Sequence, residues 1–75
     1  MHGSRSPIQN YREFPTARQR QIMRLAARGL SNKQIGRELN ISEGTVKTHL
    51  HQIYDRLGIR NRTALVAMML REPDL

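Results

Sequence analysis

Seventy-five residues suffice for one small domain with a modest core. Thirteen basic against six acidic residues leave a net charge of +7, and all the basic residues except Lys33 and Lys47 are Arg; nucleic acid is the usual polyanionic partner of such a surface, and no Lys-rich amphipathic helix with bulky aromatics argues for a membrane instead. Without cysteine there is no disulfide framework or thiolate metal site, and no apolar run approaches a bilayer span or a secretory signal, so a soluble cytoplasmic protein is expected.

Along the chain, Met1 to Ser4 (MHGS) reads as a tag scar, and residues 1–14 together as scar plus linker or flexible arm, with Tyr11 or Phe14 available to tuck against the domain. The domain is expected over residues 15–72, with 73–75 as a tail. Pro15 stops any earlier helix, and Thr16 with Gln19 has capping-box spacing ahead of a first helix from Ala17 to about Arg28. Ile22, Leu25 and Ala26 are placed inward, Met23 beside them, and Gly29 ends the helix. Ser31 and Gln34 form a second capping box for a helix over Asn32 to Leu39; Asn40 suits a left-handed turn residue. Ser42 caps a third helix from Glu43 to Leu57, closed by Gly58. Leu30 with Ile35, and Ile41 with Val46, stand where hydrophobic staples would be. Ile35, Leu39, Ile41, Val46 and Leu50 make the inward stripe, and Gly36 offers a small face where two helices approach. Asn61 caps a fourth helix through Leu70, and Pro73 limits its extension. No strand pattern occurs. The predicted fold is all-α, a four-helix bundle containing a helix-turn-helix.

Lys47, Thr48 and His51 share one side of the third helix. On an arbitrary helix that would be a solvated face; within a capped, basic helix-turn-helix it is the candidate base-reading face in a DNA major groove. Lys47 can donate to guanine O6 and N7, and the Thr48 methyl can meet a thymine methyl. Ser42, Gly44 and Thr45 open the third helix, where backbone N–H groups favour an anion and glycine admits a phosphate closely. Asn32 and Lys33 open the second helix as further phosphate candidates. Arg20, Arg24 and Arg28 recur every four residues on the first helix; a solvated stripe is the simpler reading, a contact to flanking DNA or the transcription machinery the lesser one. His49 and His51 point to different sides of their helix and no carboxylate completes a set, so no metal is expected, and His49 is expected to pack against the turn or a phosphate. No carboxylate pair, nucleophile–base arrangement or glycine-rich phosphate loop supports an enzyme, and no cofactor is expected. Ala64 to Leu70 (ALVAMML) is apolar all round. Leu65 and Met69 are assigned to the core, leaving Ala64, Ala67 and Met68 as a self-association face for a homodimer on DNA with inverted half-sites.

The stretches LAARGLSNKQIGREL, ISEGTVKTHL and IYDRLGIRNRTALV closely resemble the C-terminal DNA-binding domain of the LuxR family, shared by NarL- and FixJ-type response regulators, from Thr16 to about Leu70. The resemblance implies a four-helix bundle with the third helix as reader and the fourth as dimer contact. It also implies base contacts from Lys47, Thr48 and His51, and phosphate contacts from Asn32, Lys33, Thr45 and nearby backbone; the expected function is that of a bacterial transcriptional regulator, with RNA polymerase as a further candidate partner. Such domains usually follow a receiver or ligand-binding domain, so the chain is expected to be an excised C-terminal part, with a single-domain member of the family as the alternative. Three positions depart from the family pattern: Pro15 for its usual Leu, Gln19 for Glu in the first helix, and Gly36 for Ala, the last at a small cost in helix propensity. The rivals are the last region of bacterial sigma factors, disfavoured by the fourth-helix segment YDRLGIRNRTALVAMML, and a basic protein-interaction adaptor that never touches DNA.

Overall fold

The structure, a computed structural model, describes residues 13–75. The expectations for the scar, the arm and Tyr11 fall outside these residues. Four helices follow one another: α1 (Ala17–Ala27), α2 (Asn32–Leu39), α3 (Glu43–Leu57) and α4 (Arg62–Arg71). No strand occurs among the described residues. α1 ends one residue before, and α4 one residue after, its predicted limit.

Each helix starts where a side chain satisfies its first free N–H groups. Thr16 Oγ1 accepts from the Gln19 N–H at 3.1 Å, and Gln19 Oε1 accepts from the Thr16 N–H at 2.7 Å. An amide oxygen thus does here what the family's usual carboxylate would do, because the bond needs an acceptor and not a charge. Ser31 and Gln34 form the second box, at 3.1 and 2.8 Å. Ser42 caps α3 through the Thr45 N–H, and Asn61 caps α4 through the Ala64 N–H. At the other ends, Gly29 and Gly58 take φ of 95° and 69°, the left-handed conformation that turns the chain out of α1 and α3 at no steric cost. Asn40 does the same after α2, at φ 59°.

The core is Ile22, Met23 and Ala26 of α1, Ile35 of α2, Val46, Leu50 and Ile53 of α3, and Leu65 of α4. Met23 is fully buried whereas Leu25 is half-buried, the reverse of the predicted order. α1 is enclosed by α2, α3 and α4 together, so its inward arc is wider than a single stripe and takes in Met23. Leu30 and Ile41 pack against the core as half-buried neighbours, as staples require, and Leu39 of the inward stripe is likewise half-buried against it. Phe14 does likewise, with the Arg56 guanidinium 4.6 Å from its ring centroid. Leu75, expected in a tail, also packs against the core, because the turn at Pro73 and Asp74 folds the end of the chain back.

The α2–α3 turn is tight. The Ile41 N–H donates to the Gly36 carbonyl at 2.9 Å. A Cβ at position 36 would lie 2.6 Å from the Ile41 carbonyl oxygen, so only glycine fits the turn as it stands.

Candidate nucleic-acid interface

α3 is a two-sided helix. Val46, Leu50 and Ile53 anchor one side at 0–3% exposure, and Lys47, Thr48 and His51 stand exposed on another. Fixing the apolar side therefore fixes the direction of the polar one. The Thr48 hydroxyl donates to the Gly44 carbonyl at 3.1 Å. Its proton is spent within the helix, which leaves the hydroxyl oxygen able only to accept.

The start of α3 presents Ser42, Gly44 and Thr45, all exposed. Ser42 Oγ accepts from the Thr45 N–H at 3.0 Å, and its hydroxyl donates to Thr45 Oγ1 at 2.8 Å. The bond between the two hydroxyls uses one of their two protons and leaves the other free to meet an anion. A Cβ at Gly44 would meet only Ser42 Oγ, at 3.9 Å. Nothing inside the protein requires glycine there, in contrast to Gly36. The missing side chain instead bares the first turn of α3 from outside, where the helix dipole and free N–H groups favour negative charge.

At the start of α2, Lys33 is exposed and Asn32 half-buried. The Asn32 amide is held from a distance in sequence. Arg62, the first residue of α4, donates from Nη2 to Asn32 Oδ1 in a short bond and from Nη1 to the Leu30 carbonyl at 2.9 Å. Asn32, Lys47, His51, Tyr54, Arg60 and Arg62 line one open groove of about 310 Å³ between the start of α2, the middle of α3 and the start of α4. The structure thus brings Asn32, Lys47 and His51 together in one groove. Sequence reasoning missed Arg60, Arg62 and Tyr54. The pairing of Arg62 with Asn32 spans 30 positions, and no local spacing announces it; only the basic excess hinted at more cations than had been assigned.

Arg24 and Arg28 line a different groove with Glu38 and Leu39, and do not line the one that holds Lys47 and His51. His49 is half-buried, and its Nδ1 is buried with no hydrogen-bond partner, so that nitrogen is closed to any phosphate. Among the described residues, no group of three or more metal-ligating side chains gathers, and no helix is long and apolar enough to cross a membrane. On α4, Leu65 is fully buried and Met69 packs beside it, as expected. Ala67 is exposed, and Ala64 and Met68 are half-buried. The prominent apolar group is Leu70, 79% exposed, which lines a groove between α1 and α4 with Val66 and Ala67. It was missed because an all-apolar run gives no period from which to choose the outward side.

Comparison with known proteins agrees with this architecture. The family described as bacterial regulatory proteins, luxR family, matches residues 16–69. YhjB of Escherichia coli (strain K12), whose name describes an HTH-type transcriptional regulator, is 60% identical over 55 residues, 73% of this chain and 27% of that protein. The nitrate/nitrite response regulator NarP of the same organism is 42% identical over 57 residues, 76% of this chain and 26% of that protein. The crystal structure of the response regulator ChrA, from a heme-sensing two-component system, superposes with a TM-score of 0.78 at 39% identity, covering 92% of this chain and 34% of that one. The chain therefore spans between a quarter and about a third of the length of these relatives. Four capped helices around a helix-turn-helix, matched by sequence over most of their length, make this chain a DNA-binding domain that belongs to the luxR family of bacterial regulatory proteins.

Proposed function

We propose that this domain reads specific duplex DNA sequence with α3 in the major groove, as the output part of a cytoplasmic bacterial transcriptional regulator. The observation that carries this reading is the division of α3 into a side buried to 0–3% exposure at Val46, Leu50 and Ile53 and an exposed side bearing Lys47, Thr48 and His51. A helix held rigidly by one face can present the other to base edges in a fixed register. Lys47 donates to guanine O6 and N7, and the Thr48 methyl meets a thymine methyl. His51 reaches the neighbouring base. Asn32, Lys33, Ser42, Gly44 and Thr45 hold the backbone on either side.

Two copies pair on inverted half-sites through α4, with Ala64, Ala67 and Met68 as the contact and Leu70 beside them. The exposed apolar residues of α4 support this part of the reading. A patch of this size falls short of the roughly 1,000 Å² that a stable interface needs, so DNA holds the pair together. NarP and ChrA are response regulators by name, and a receiver domain ahead of this one would supply its control. RNA polymerase is the partner through which such a regulator acts.

Fluorescence anisotropy with a labelled duplex over a range of salt concentrations tests the electrostatic part. If each domain neutralises roughly four to six phosphates, log K falls with log salt at a slope of about −4 to −5. Lys33→Ala weakens binding to every sequence alike and flattens the slope by about 1. A slope unchanged by the substitution removes Lys33 from the phosphate contacts, and no binding to any duplex refutes the reading.

A further inference from the structure

We propose that Arg62 is a positioning residue that turns Asn32 into a donor for a DNA backbone phosphate seated in the groove between α2, α3 and α4. This inference rests on the DNA-binding reading above. An asparagine amide has one acceptor end and one donor end, and either can face a ligand. Arginine has donors only. Once Arg62 Nη2 bonds Asn32 Oδ1, the amide can no longer flip, and the NH2 end is the one left over. That nitrogen has no protein partner among the described residues and is not sealed from solvent. The second arm of the fork, Arg62 Nη1 to the Leu30 carbonyl, ties the guanidinium to the backbone just ahead of the α2 cap. Held at both nitrogens, the guanidinium is a fixed template for the amide, not a swinging cation.

The surroundings select an anion. Arg60, Lys47 and His51 line the same groove, together with Asn32 and Tyr54, and no carboxylate does. At about 310 Å³ and open to solvent, the groove accommodates a phosphodiester but encloses no small molecule. Lys47 also belongs to the exposed side of α3 assigned to base edges, so the seated phosphate lies next to the bases being read. Because Arg62 is the first residue of α4, the helix assigned to pairing two copies is joined directly to a phosphate contact.

The test is a double-mutant cycle on duplex affinity combined with NMR of the Asn32 side-chain amide in the 75-residue domain. Asn32→Ala is expected to weaken binding about tenfold, the size of one hydrogen bond to a charged group. Arg62→Lys keeps the charge but cannot make the fork, so it weakens binding by a similar factor with the salt slope unchanged. In the Asn32→Ala background, Arg62→Lys produces no further loss. The wild-type Asn32 NH2 signals shift on addition of duplex, and in Arg62→Lys they no longer do, while circular dichroism reports the fold intact. Multiplicative losses in the double variant, or Asn32 NH2 signals that stay put in the wild-type domain at saturating duplex, overturn the proposal. If Arg62→Lys fails to fold, the wild-type titration still overturns the proposal when the Asn32 NH2 signals do not shift. The DNA-binding reading fails separately, by loss of wild-type affinity for every duplex, whereas the loss caused by Lys33→Ala persists if only the Arg62–Asn32 link is wrong.

Discussion

The helix-turn-helix of α2 and α3 and the terminal helix α4 are built from similar numbers of apolar residues but use them in opposite ways. In α2 and α3 the apolar residues fall on one stripe, and Ile35, Val46, Leu50 and Ile53 are all buried. α4 is apolar at seven consecutive positions from Ala64 to Leu70, yet only Leu65 is buried and Leu70 is 79% exposed. A stripe tells a helix which way to face, and its polar remainder then faces a partner in a defined register. An all-apolar helix has no such instruction, and the surface its own bundle leaves uncovered is available to another chain.

The sharpest way to break this comparison is to truncate one apolar residue in each region. Ile35→Ala removes a fully buried side chain and is expected to cost about 2–5 kcal/mol. A domain of this size has stability of the same order, so the variant should be largely unfolded by circular dichroism at 37 °C, a temperature taken as roughly physiological. Leu70→Ala should change the melting free energy by less than about 0.5 kcal/mol. Comparable losses from the two would mean that α4 is held as tightly as α2.

Next in size is the effect on paired half-sites. Ala67→Glu places a charge at an exposed position of the proposed pairing face. It should leave the fold and single half-site binding intact while removing cooperativity on the full inverted repeat, a coupling expected to be about 1–3 kcal/mol. Binding isotherms on one and two half-sites measure it. Cooperativity that survives the charge would assign the apolar face of α4 to some other partner, such as an upstream domain.

The smallest expected effects come from the two glycines that flank the turn. At Gly36 an added Cβ gains helix propensity of about 1 kcal/mol but meets the Ile41 carbonyl at 2.6 Å, and overpacking of about 1–3 kcal/mol outweighs it. Gly36→Ala should therefore destabilise the domain by about 1 kcal/mol net, although alanine is the residue expected there from the family pattern. Gly44→Ala makes only an ordinary contact with Ser42 Oγ, at 3.9 Å, and should stabilise α3 by about a few tenths of a kcal/mol, while weakening affinity for all duplexes because the methyl group holds a phosphate away. Thermal melts and anisotropy on the two variants separate a glycine kept for the fold from one kept for the ligand.

Caps and stripes made most of this fold legible in the sequence. Thr16, Ser31, Ser42 and Asn61 each mark a helix start because an N-cap acts over three residues, a distance that sequence spacing records directly. The left-handed Asn40 and the exposed side of α3 follow from the same local rules. The burial order of Met23 and Leu25 did not, because it depends on three helices closing on α1 together. Nor did the Arg62–Asn32 link, which joins residues 30 positions apart, or the exposure of Leu70, which no period marks. Local chemistry is written in spacing; contacts between distant segments are written only in the folded chain.

The central claim is that the exposed side of α3 reads bases. Selection of binding sites from a pool of random duplexes, run in parallel with the wild-type domain and with Lys47→Ala and Thr48→Ala, tests it most directly. The wild type should enrich a defined half-site. Each variant should lose preference at one position of that half-site, by about 1–3 kcal/mol for a good base contact, and keep the remaining positions. Thr48→Ala, which removes no charge, should retain nearly full affinity for unselected DNA. The account is contradicted if both variants enrich the wild-type motif with every preference unchanged, or if Thr48→Ala loses selected and unselected DNA equally.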